Sequence, residues 1–222
     1  MEKFYPQSLD EKSCEYFISH INSQDRVYEK IKLKAEKLNI KNISLSPFDA
    51  AVVGILTSAL KPLKAIEIGC FLGYSAITIA RNMPDDGRLY TIEKDDTYAD
   101  SATEIIREEK LGEKITVIND DAENYLSKLS KISKFELCFI DADKDKYPFY
   151  LKWALKNIKS GGMIIAHNVF LKGKLFYDGE DKEQNKKSRG MKEFLYIFFN
   201  NDSFSSRAII PTQDGLAVGI LK

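Results

Sequence analysis

Apolar runs alternate with helix-forming stretches along the chain from residue 64 onward, and each run ends in a polar or acidic residue. Strands that alternate with helices at this spacing build β-α-β units, whose parallel sheet is covered by helices on both faces. The sequence therefore predicts a doubly wound, mostly parallel α/β sheet. The predicted strands are 65–69, 88–95, 114–120, 135–143 and 163–169, and the helices between them are 75–83, 96–111, 122–132 and 147–158.

The C-terminal part of the chain departs from this alternation. After a predicted helix at 189–200, the segments FSSRAIIP and GLAVGILK are strands separated by a short turn. They are close enough in sequence to form an antiparallel hairpin at the edge of the sheet, which then has seven strands. Residues 171–188 carry glycines and many charged residues, so we expect a mobile loop there.

The N-terminal part is predicted to be helical. Residues 9–39 carry apolar residues at helical spacing, and a second, largely apolar helix is predicted over 46–60. Ser46 can cap this second helix, and Asp49 complements its dipole. We expect one domain over the 222 residues, with a helical cap over 1–60 and an α/β core over 61–222.

Composition limits the partners of the protein. Lys plus Arg and Asp plus Glu both number 33, so the charge balance favours neither nucleic acid nor an anionic membrane. No apolar stretch approaches the roughly 20 residues that span a bilayer, and the polar N-terminus is not typical of a signal peptide. Cys70 and Cys138 lie in apolar surroundings, and Cys14 has no nearby partner in sequence. Reduced thiols predict a cytoplasmic protein.

Ligands of open parallel sheets bind beyond the carboxyl ends of the strands. In EIGCFLGYS, Gly69 would let a ligand approach the backbone, although the motif lacks the third glycine of a dinucleotide fingerprint. Glu93 ends the next strand, at about the spacing at which a carboxylate binds ribose hydroxyls. Asp121 and Ala122 would supply an acid and a small residue beside an adenine, although Asp121 is equally suited to cap a helix. These residues predict a nucleoside ligand.

A second group of polar residues follows two neighbouring predicted strands. The carboxylate of Asp141, the imidazole of His167 and the amide of Asn168 could hold a divalent ion. Lys144 lies one turn beyond Asp141, where a neighbouring cation would lower the pKa of the lysine and let it accept a proton from a hydroxyl. The alternative is a charged strand-to-helix connection at DADKDK and a capped strand end at His167.

Together these segments resemble the cation-dependent O-methyltransferases related to caffeoyl-CoA and catechol O-methyltransferases, from about residue 12 to the end. The resemblance is carried by EIGCFLGYSAITIA, PDDGRLYTIEKD, CFIDADKDKYPFY, GGMIIAHNVFLKGKL and QDGLAVGILK. The third segment is the most specific, since DADK followed by Tyr is a hallmark of that family. The resemblance implies a Rossmann-like methyltransferase fold, S-adenosylmethionine as methyl donor, a small hydroxylated acceptor and a homodimer.

The resemblance also implies roles for individual residues. Asp141 and Asn168 would be metal ligands, and Lys144 would be the proton acceptor. The N-terminal helices and the 171–188 segment would cover the acceptor. The residues implied to contact the methyl donor are Ile43, Leu45, Glu67, Gly69, Phe71, Ser75, Glu93, Asp121, Ala122 and Asp141.

One position departs from the family pattern, which has Asp-Asn where this chain has His167-Asn168. A site of one carboxylate, one amide and one imidazole holds Mg²⁺ or Ca²⁺ less well and shifts the preference toward Mn²⁺, Fe²⁺ or Zn²⁺. We expect a retained metal, with His167 as a ligand beside Asp141 and Asn168. Two alternatives stay open: His167 as the catalytic base of a metal-independent methyltransferase, or a degenerate site that binds the donor but methylates poorly.

Two other classes of function compete with methyl transfer. An NAD-dependent oxidoreductase could use a similar sheet, and it would bind a dinucleotide. A non-catalytic interaction protein could keep the donor site, and it would bind S-adenosylhomocysteine without turnover. Ligand binding and turnover therefore discriminate between the three classes.

Overall fold

The computed structural model describes residues 25–129 and 134–222, together with residues 10, 12–13, 16 and 19–20. In this part of the chain the strands are β1 Lys64–Ile68, β2 Arg88–Glu93, β3 Ile115–Asn119, β4 Phe135–Ile140, β5 Ile158–His167, β6 Phe204–Ile210 and β7 Leu216–Leu221. The helices are α1 Arg26–Lys37, α2 Pro47–Leu60, α3 Tyr74–Asn82, α4 Asp96–Glu108, α5 Ala122–Leu129, α6 Tyr147–Asn157 and α7 Lys182–Asn200.

The strands form one seven-stranded sheet in the order β3-β2-β1-β4-β5-β7-β6. Strands β1 to β5 are parallel to their neighbours, whereas β7 pairs antiparallel with both β5 and β6. The sheet and its C-terminal hairpin are therefore as predicted. The hairpin places β7 beside β5, so the antiparallel pair extends the parallel sheet at its edge.

Successive residues of the central strands are buried on opposite faces of the sheet. In β4, Leu137 and Phe139 pack with residues of α1 to α4, whereas Cys138 and Ile140 pack with residues of α5, α6 and α7. This two-sided burial confirms the doubly wound arrangement. Cys70 and Cys138 are buried free thiols, as predicted for small core residues. None of the helices in the described residues combines the length and apolarity needed to span a bilayer.

Within the predicted helical region over 9–39, residues 12–13, 16 and 19–20 are helical, and the first helix whose bounds the structure gives is α1. Helix α1 begins at Arg26, because the Asp25 side chain accepts hydrogen bonds from the backbone N–H groups of Val27 and Tyr28 and caps the helix. Most of the predicted helix before Asp25 lies outside the described residues, as does Cys14. Helix α2 agrees with the prediction, since Ser46 caps it.

Strand β5 begins earlier than predicted. Ile158 already pairs with Phe135, and the pairing resumes at Met163 after an irregular stretch. Gly161 and Gly162 therefore lie inside the strand, whereas the predicted strand begins only at residue 163. The helix before β5 ends at Asn157 and passes directly into the strand.

The predicted mobile loop over 171–188 is shorter in the structure. Helix α7 begins at Lys182, because the Asp181 side chain accepts hydrogen bonds from the backbone N–H groups of the next turn. Residues 182–188 are therefore helical, and the prediction of a loop is wrong for them. The segment that remains starts with a short 3₁₀ turn at Leu171–Gly173, where the Lys172 N–H donates to the Asp214 side chain at 2.6 Å.

The carboxyl ends of β1 and β4 approach each other at Gly69. Gly69 has a φ of 95°, and a Cβ at this position would overlap the backbone carbonyl oxygen of Asp141. The Asp141 N–H also donates to the carbonyl of Ile68 at 2.8 Å. The close approach of the neighbouring strand end is therefore by itself a reason for glycine at position 69, beside the predicted approach of a ligand.

Replacing Gly69 by Ala should destabilise the fold. The new Cβ meets the Asp141 carbonyl in a backbone conformation that L-residues disfavour, so Gly69→Ala should lower the free energy of unfolding by roughly 2–4 kcal/mol. Gly112→Ala is the matched control, because a Cβ there has no described atom within 4 Å and its effect should stay below about 0.5 kcal/mol. Urea unfolding of the three proteins measures both values. Equal stability of the two variants would contradict the close approach.

Candidate functional site

Glu93 holds the turn between β1 and α3 in its observed shape. Its Oε2 accepts hydrogen bonds from the backbone N–H groups of Phe71 at 2.7 Å and Cys70 at 3.3 Å. Its Oε1 accepts from the N–H of Asp95 at 3.0 Å. Phe71 has a φ of 50°, a conformation that non-glycine residues seldom adopt, and the carboxylate stabilises it. Glu93 therefore organises the turn, and its two oxygens keep lone pairs that can accept from a diol.

Glu67 is a fully buried acid in β1. Its Oε2 accepts from the Thr91 hydroxyl at 2.5 Å, whereas its Oε1 has no hydrogen-bond partner among the described residues. Burial raises the pKa of Glu67 to about 8, although hydrogen bonds from Ser75 and Thr91 act to lower it. The charges of Asp141 and Glu93 raise the pKa further. A buried carboxylate oxygen without a partner, among other acids, fits a cationic ligand group.

The other residues predicted to contact the donor differ in exposure. Ser75 lies in the first turn of α3 and is buried, and Leu45 is buried in the core, whereas Ile43 is 60% exposed. Ala122 is buried at the start of α5. Asp121 is exposed, and its side chain accepts from the backbone N–H of the third residue of that helix at 3.1 Å. The capping role considered for Asp121 is therefore present.

Asp141 connects the ends of β4 and β5 through its side chain. Its Oδ1 accepts from the Lys144 Nζ at 2.7 Å, and its Oδ2 lies 2.9 Å from the Nδ1 of His167. Lys144 also donates to the Tyr147 hydroxyl at 2.7 Å, and that hydroxyl donates to the backbone carbonyl of His167 at 2.9 Å. The structure thus brings together the three predicted catalytic residues and adds Tyr147, for which no role was predicted.

Asp49 belongs to this cluster and was missed by the sequence analysis as a site residue. Its Oδ2 lies 3.4 Å from the Nε2 of His167 and accepts from the Ser46 hydroxyl at 2.7 Å. Asp49 is only 2% exposed. The sequence interpretation placed it at the start of α2 as a charge that complements the helix dipole. The signal that could have found it is an acid in the first turn of a buried apolar helix, since a buried charge needs a partner.

The charges of this cluster depend on one another. Burial lowers the pKa of His167, but the Asp141 carboxylate and the hydrogen bonds to Asp141 and Asp49 raise it to about 9. Burial raises the pKa of Asp141, but Lys144 and His167 hold it well below its usual range. Burial raises the pKa of Asp49, but the neighbouring side chains of His167, Thr212 and Ser46 together outweigh this effect, so the pKa is lowered. Both ring nitrogens of His167 thus face carboxylates, an arrangement that favours the protonated ring.

The three residues predicted to bind a metal are adjacent, but the ligand atoms of Asp141 and His167 are engaged with each other, with Lys144 and with Asp49. Asn168, with a φ of 57°, places its amide nitrogen 3.3 Å from the Nε2 of His167. Asp141 contacts Lys144 and His167 with its two oxygens. Over residues 25–129, 134–222 and the few described before them, no three His, Cys, Asp or Glu side chains are arranged to hold a metal ion. The observed donor set does not fit a divalent ion.

The fold and the site together define a class of protein. The sheet is doubly wound and ends in an antiparallel pair. A turn after β1 is held by Glu93 at the end of β2, and a cluster of charged side chains follows β4 and β5. These are features of Rossmann-like methyltransferases. The structure of an O-methyltransferase from Bacillus cereus in complex with SAH has a TM-score of 0.85 to this chain at 25% identity, covering 95% of this chain and 97% of that one.

Sequence comparisons identify the family within this class. A family model described as O-methyltransferase matches residues 19–220. The catechol O-methyltransferase of Niastella koreensis is 29% identical over 186 residues, which is 81% of this chain and 83% of the relative. The caffeoyl-CoA O-methyltransferase of Populus kitakamiensis is 26% identical over 182 residues, covering 78% and 77%. The chain belongs to the O-methyltransferase family, and the resemblance predicted from its motifs is confirmed.

The stability of the protein without a donor should depend on the ionisation of Glu67. Its pKa is about 8 in the folded state against an ordinary value of 4.5, so between these values the folded state keeps a proton that the unfolded state has released. This contribution to the free energy of unfolding therefore falls as the pH rises from about 4.5 towards 8, by up to a few kcal/mol.

Glu67→Gln removes the titrating group and should remove this fall. Urea unfolding of both proteins at pH 5, 6, 7 and 8 measures the effect, and the stability of the wild type relative to the variant should decrease steadily over the series. Parallel stability curves for the two proteins would show that Glu67 is not perturbed by its burial.

Proposed function

We propose that this O-methyltransferase moves the methyl group of S-adenosylmethionine to a hydroxyl of a small catechol-like or caffeoyl-type acceptor. The observation that carries this proposal is the unpartnered oxygen of Glu67 at one end of the site and the linked side chains of Lys144, Asp141 and His167 at the other. The SAH-bound relative supports the donor. The catechol and caffeoyl-CoA enzymes among the relatives support the class of acceptor.

The donor end is suited to a positively charged nucleoside. When bound, S-adenosylmethionine supplies a methyl group on a positively charged sulfur, which makes the group transferable. Glu67 would accept from a cationic group of the donor, and Glu93 would accept from its ribose hydroxyls while holding the turn. The remaining predicted contacts would line the donor, namely Ile43, Leu45, Gly69, Phe71, Ser75, Asp121, Ala122 and Asp141.

Lys144 is the better candidate for the proton acceptor. Both ring nitrogens of His167 face carboxylates, which removes the ring as a base. The Lys144 Nζ donates to Asp141 and Tyr147, and its side chain is 16% exposed, so it stays within reach of an acceptor in the site. These two contacts orient the amine, and methyl transfer depends mainly on such positioning.

Several sequence predictions are carried forward as part of the proposal. A divalent cation is implied by the resemblance, but the engaged atoms of Asp141 and His167 do not suit one, and the proposed reaction has no step that depends on a metal. The segment between Leu171–Gly173 and α7, with Phe176 81% exposed, would cover the acceptor together with the N-terminal helices. Buried free thiols at Cys70 and Cys138 support a cytoplasmic enzyme, and the homodimer is expected from the resemblance.

Removing the Lys144 amine should abolish turnover without removing donor binding. Lys144→Met should lower kcat at least about 100-fold, because general base catalysis contributes about that much, and its affinity for S-adenosylhomocysteine should stay within about threefold. The substrates are S-adenosylmethionine with catechol, caffeate or caffeoyl-CoA. Calorimetry measures the binding of S-adenosylhomocysteine.

Lys152→Met is the matched control, since Lys152 is an exposed lysine of α6 that pairs with Glu193 at 2.9 Å. It should keep wild-type kcat. Wild-type turnover of Lys144→Met would exclude Lys144 as the proton acceptor. A wild-type protein that does not bind S-adenosylhomocysteine would contradict the donor, and one that binds it but methylates none of these acceptors would contradict the proposed acceptor class.

A further inference from the structure

The ring of His167 is enclosed between two acids that come from different parts of the chain. Asp49 lies in the first turn of α2 and Asp141 directly after β4, and His167 ends β5. The Nδ1 of the ring lies 2.9 Å from an Asp141 oxygen, and the Nε2 lies 3.4 Å from an Asp49 oxygen. An imidazole that binds a metal must offer a lone pair on one ring nitrogen. Here each ring nitrogen faces a carboxylate and is placed to donate a hydrogen bond to it; at Nε2 this requires the Asn168 amide, 3.3 Å away, to present its oxygen rather than its nitrogen.

The acids are also engaged. Asp141 uses one oxygen for Lys144 and the other for His167, and one Asp49 oxygen contacts both Ser46 and His167. The remaining Asp49 oxygen is buried and has no partner among the described residues. A hard divalent ion requires several oxygen ligands, and this one buried oxygen does not supply them.

The charges of the four side chains cancel. Asp49 and Asp141 contribute two negative charges, Lys144 contributes one positive charge, and a His167 ring that donates to both acids contributes the second. A divalent ion added to this buried set would bring two uncompensated charges, which is costly at low dielectric. With aspartate in place of His167, the same set would carry three negative charges and one positive charge, and a divalent ion would balance it.

We propose that the His167 ring occupies the place of a divalent ion between Asp49 and Asp141, so that this enzyme transfers methyl groups without a metal. The proposal rests on the proposed function. It adds that the positive charge at the end of the site formed by Lys144, Asp141 and His167, the acceptor end, comes from side chains of the protein. In the transfer, an oxygen lone pair of the acceptor forms the new C–O bond, and the bond between carbon and sulfur breaks with its electron pair going to sulfur. Lys144 first releases a proton to solvent, and its free amine then accepts the proton of the hydroxyl.

The first experiment measures metal binding alone and needs neither donor nor acceptor. Wild-type protein is titrated with Mn²⁺, and free Mn²⁺ is followed by electron paramagnetic resonance. We expect no saturable binding at millimolar Mn²⁺. Saturable binding of one Mn²⁺ per chain by the wild type would overturn the proposal, whether or not the protein proves to be a methyltransferase.

His167→Asp tests the charge argument directly. This variant should bind one Mn²⁺ at least roughly tenfold more tightly than the wild type, the scale of effect that residues around a metal site produce. His20→Asp makes the same replacement at the other histidine, which is exposed, and should behave as the wild type. Mn²⁺ binding by a folded His167→Asp that is no tighter than that of His20→Asp would overturn the charge argument.

The state of the ring can be measured even if His167→Asp does not fold. The chain has two histidines, so in the His20→Asp protein the ¹⁵N spectrum of histidine rings reports His167 alone. Two protonated ring nitrogens at pH 7 are expected, and a ring with one N–H would overturn the proposal.

Turnover should change less than about twofold on addition of EDTA. Turnover that EDTA abolishes and Mn²⁺ restores would also overturn it, whereas absence of turnover under all conditions would contradict the proposed function and leave the binding and spectroscopic results decisive.

Discussion

The backbone of Asp141 passes so close to Gly69 that no side chain fits at position 69, and the Asp141 N–H donates to the last residue of β1. This contact joins the two halves of the site. On one side, Glu93 holds the turn that carries the predicted donor contacts, and on the other the Asp141 side chain holds Lys144 and His167. The distance between these two halves is therefore fixed by the paired backbone of β1 and β4. The rate of an in-line methyl transfer depends mainly on such fixed positioning.

The acceptor end is held by buried charges, which makes it rigid and specific. Removing one partner from a buried ionic set leaves an uncompensated charge and costs about 3–5 kcal/mol, so each side chain depends on the others. Tyr147 extends this dependence to the backbone, because its hydroxyl donates to the carbonyl of His167 at 2.9 Å and lies 3.2 Å from the carbonyl of Ile140. The Tyr147 hydroxyl thereby links the ends of β4 and β5, and it also accepts a hydrogen bond from Lys144. Small displacements of one strand would disturb the whole cluster.

Most of the sheet could be predicted from local sequence pattern. Buried parallel strands are short apolar runs, and such runs can be recognised from neighbouring residues alone. The clustering of Asp141, Lys144 and His167 could also be predicted, since carboxyl ends of parallel strands meet at one edge. Asp49 could not be assigned to that cluster, because an acid in a first helical turn fits any helix and its partner His167 lies far along the chain. Gly161-Gly162 indicates a turn locally, and only the pairing of β5 with β4 shows that the strand continues through it.

The two ends of the site differ in where their positive charge comes from. At the donor end, Glu67 has an open oxygen, and Glu93 and Asp141 add negative charge around it. A cationic ligand that enters there gains attraction from groups that already exist. At the acceptor end, Lys144 and His167 already balance the acids, and a second cation would have to displace one of them. An aspartate at 167 would leave both ends negative, so this one residue decides whether the acceptor end takes its positive charge from solution or from the chain itself.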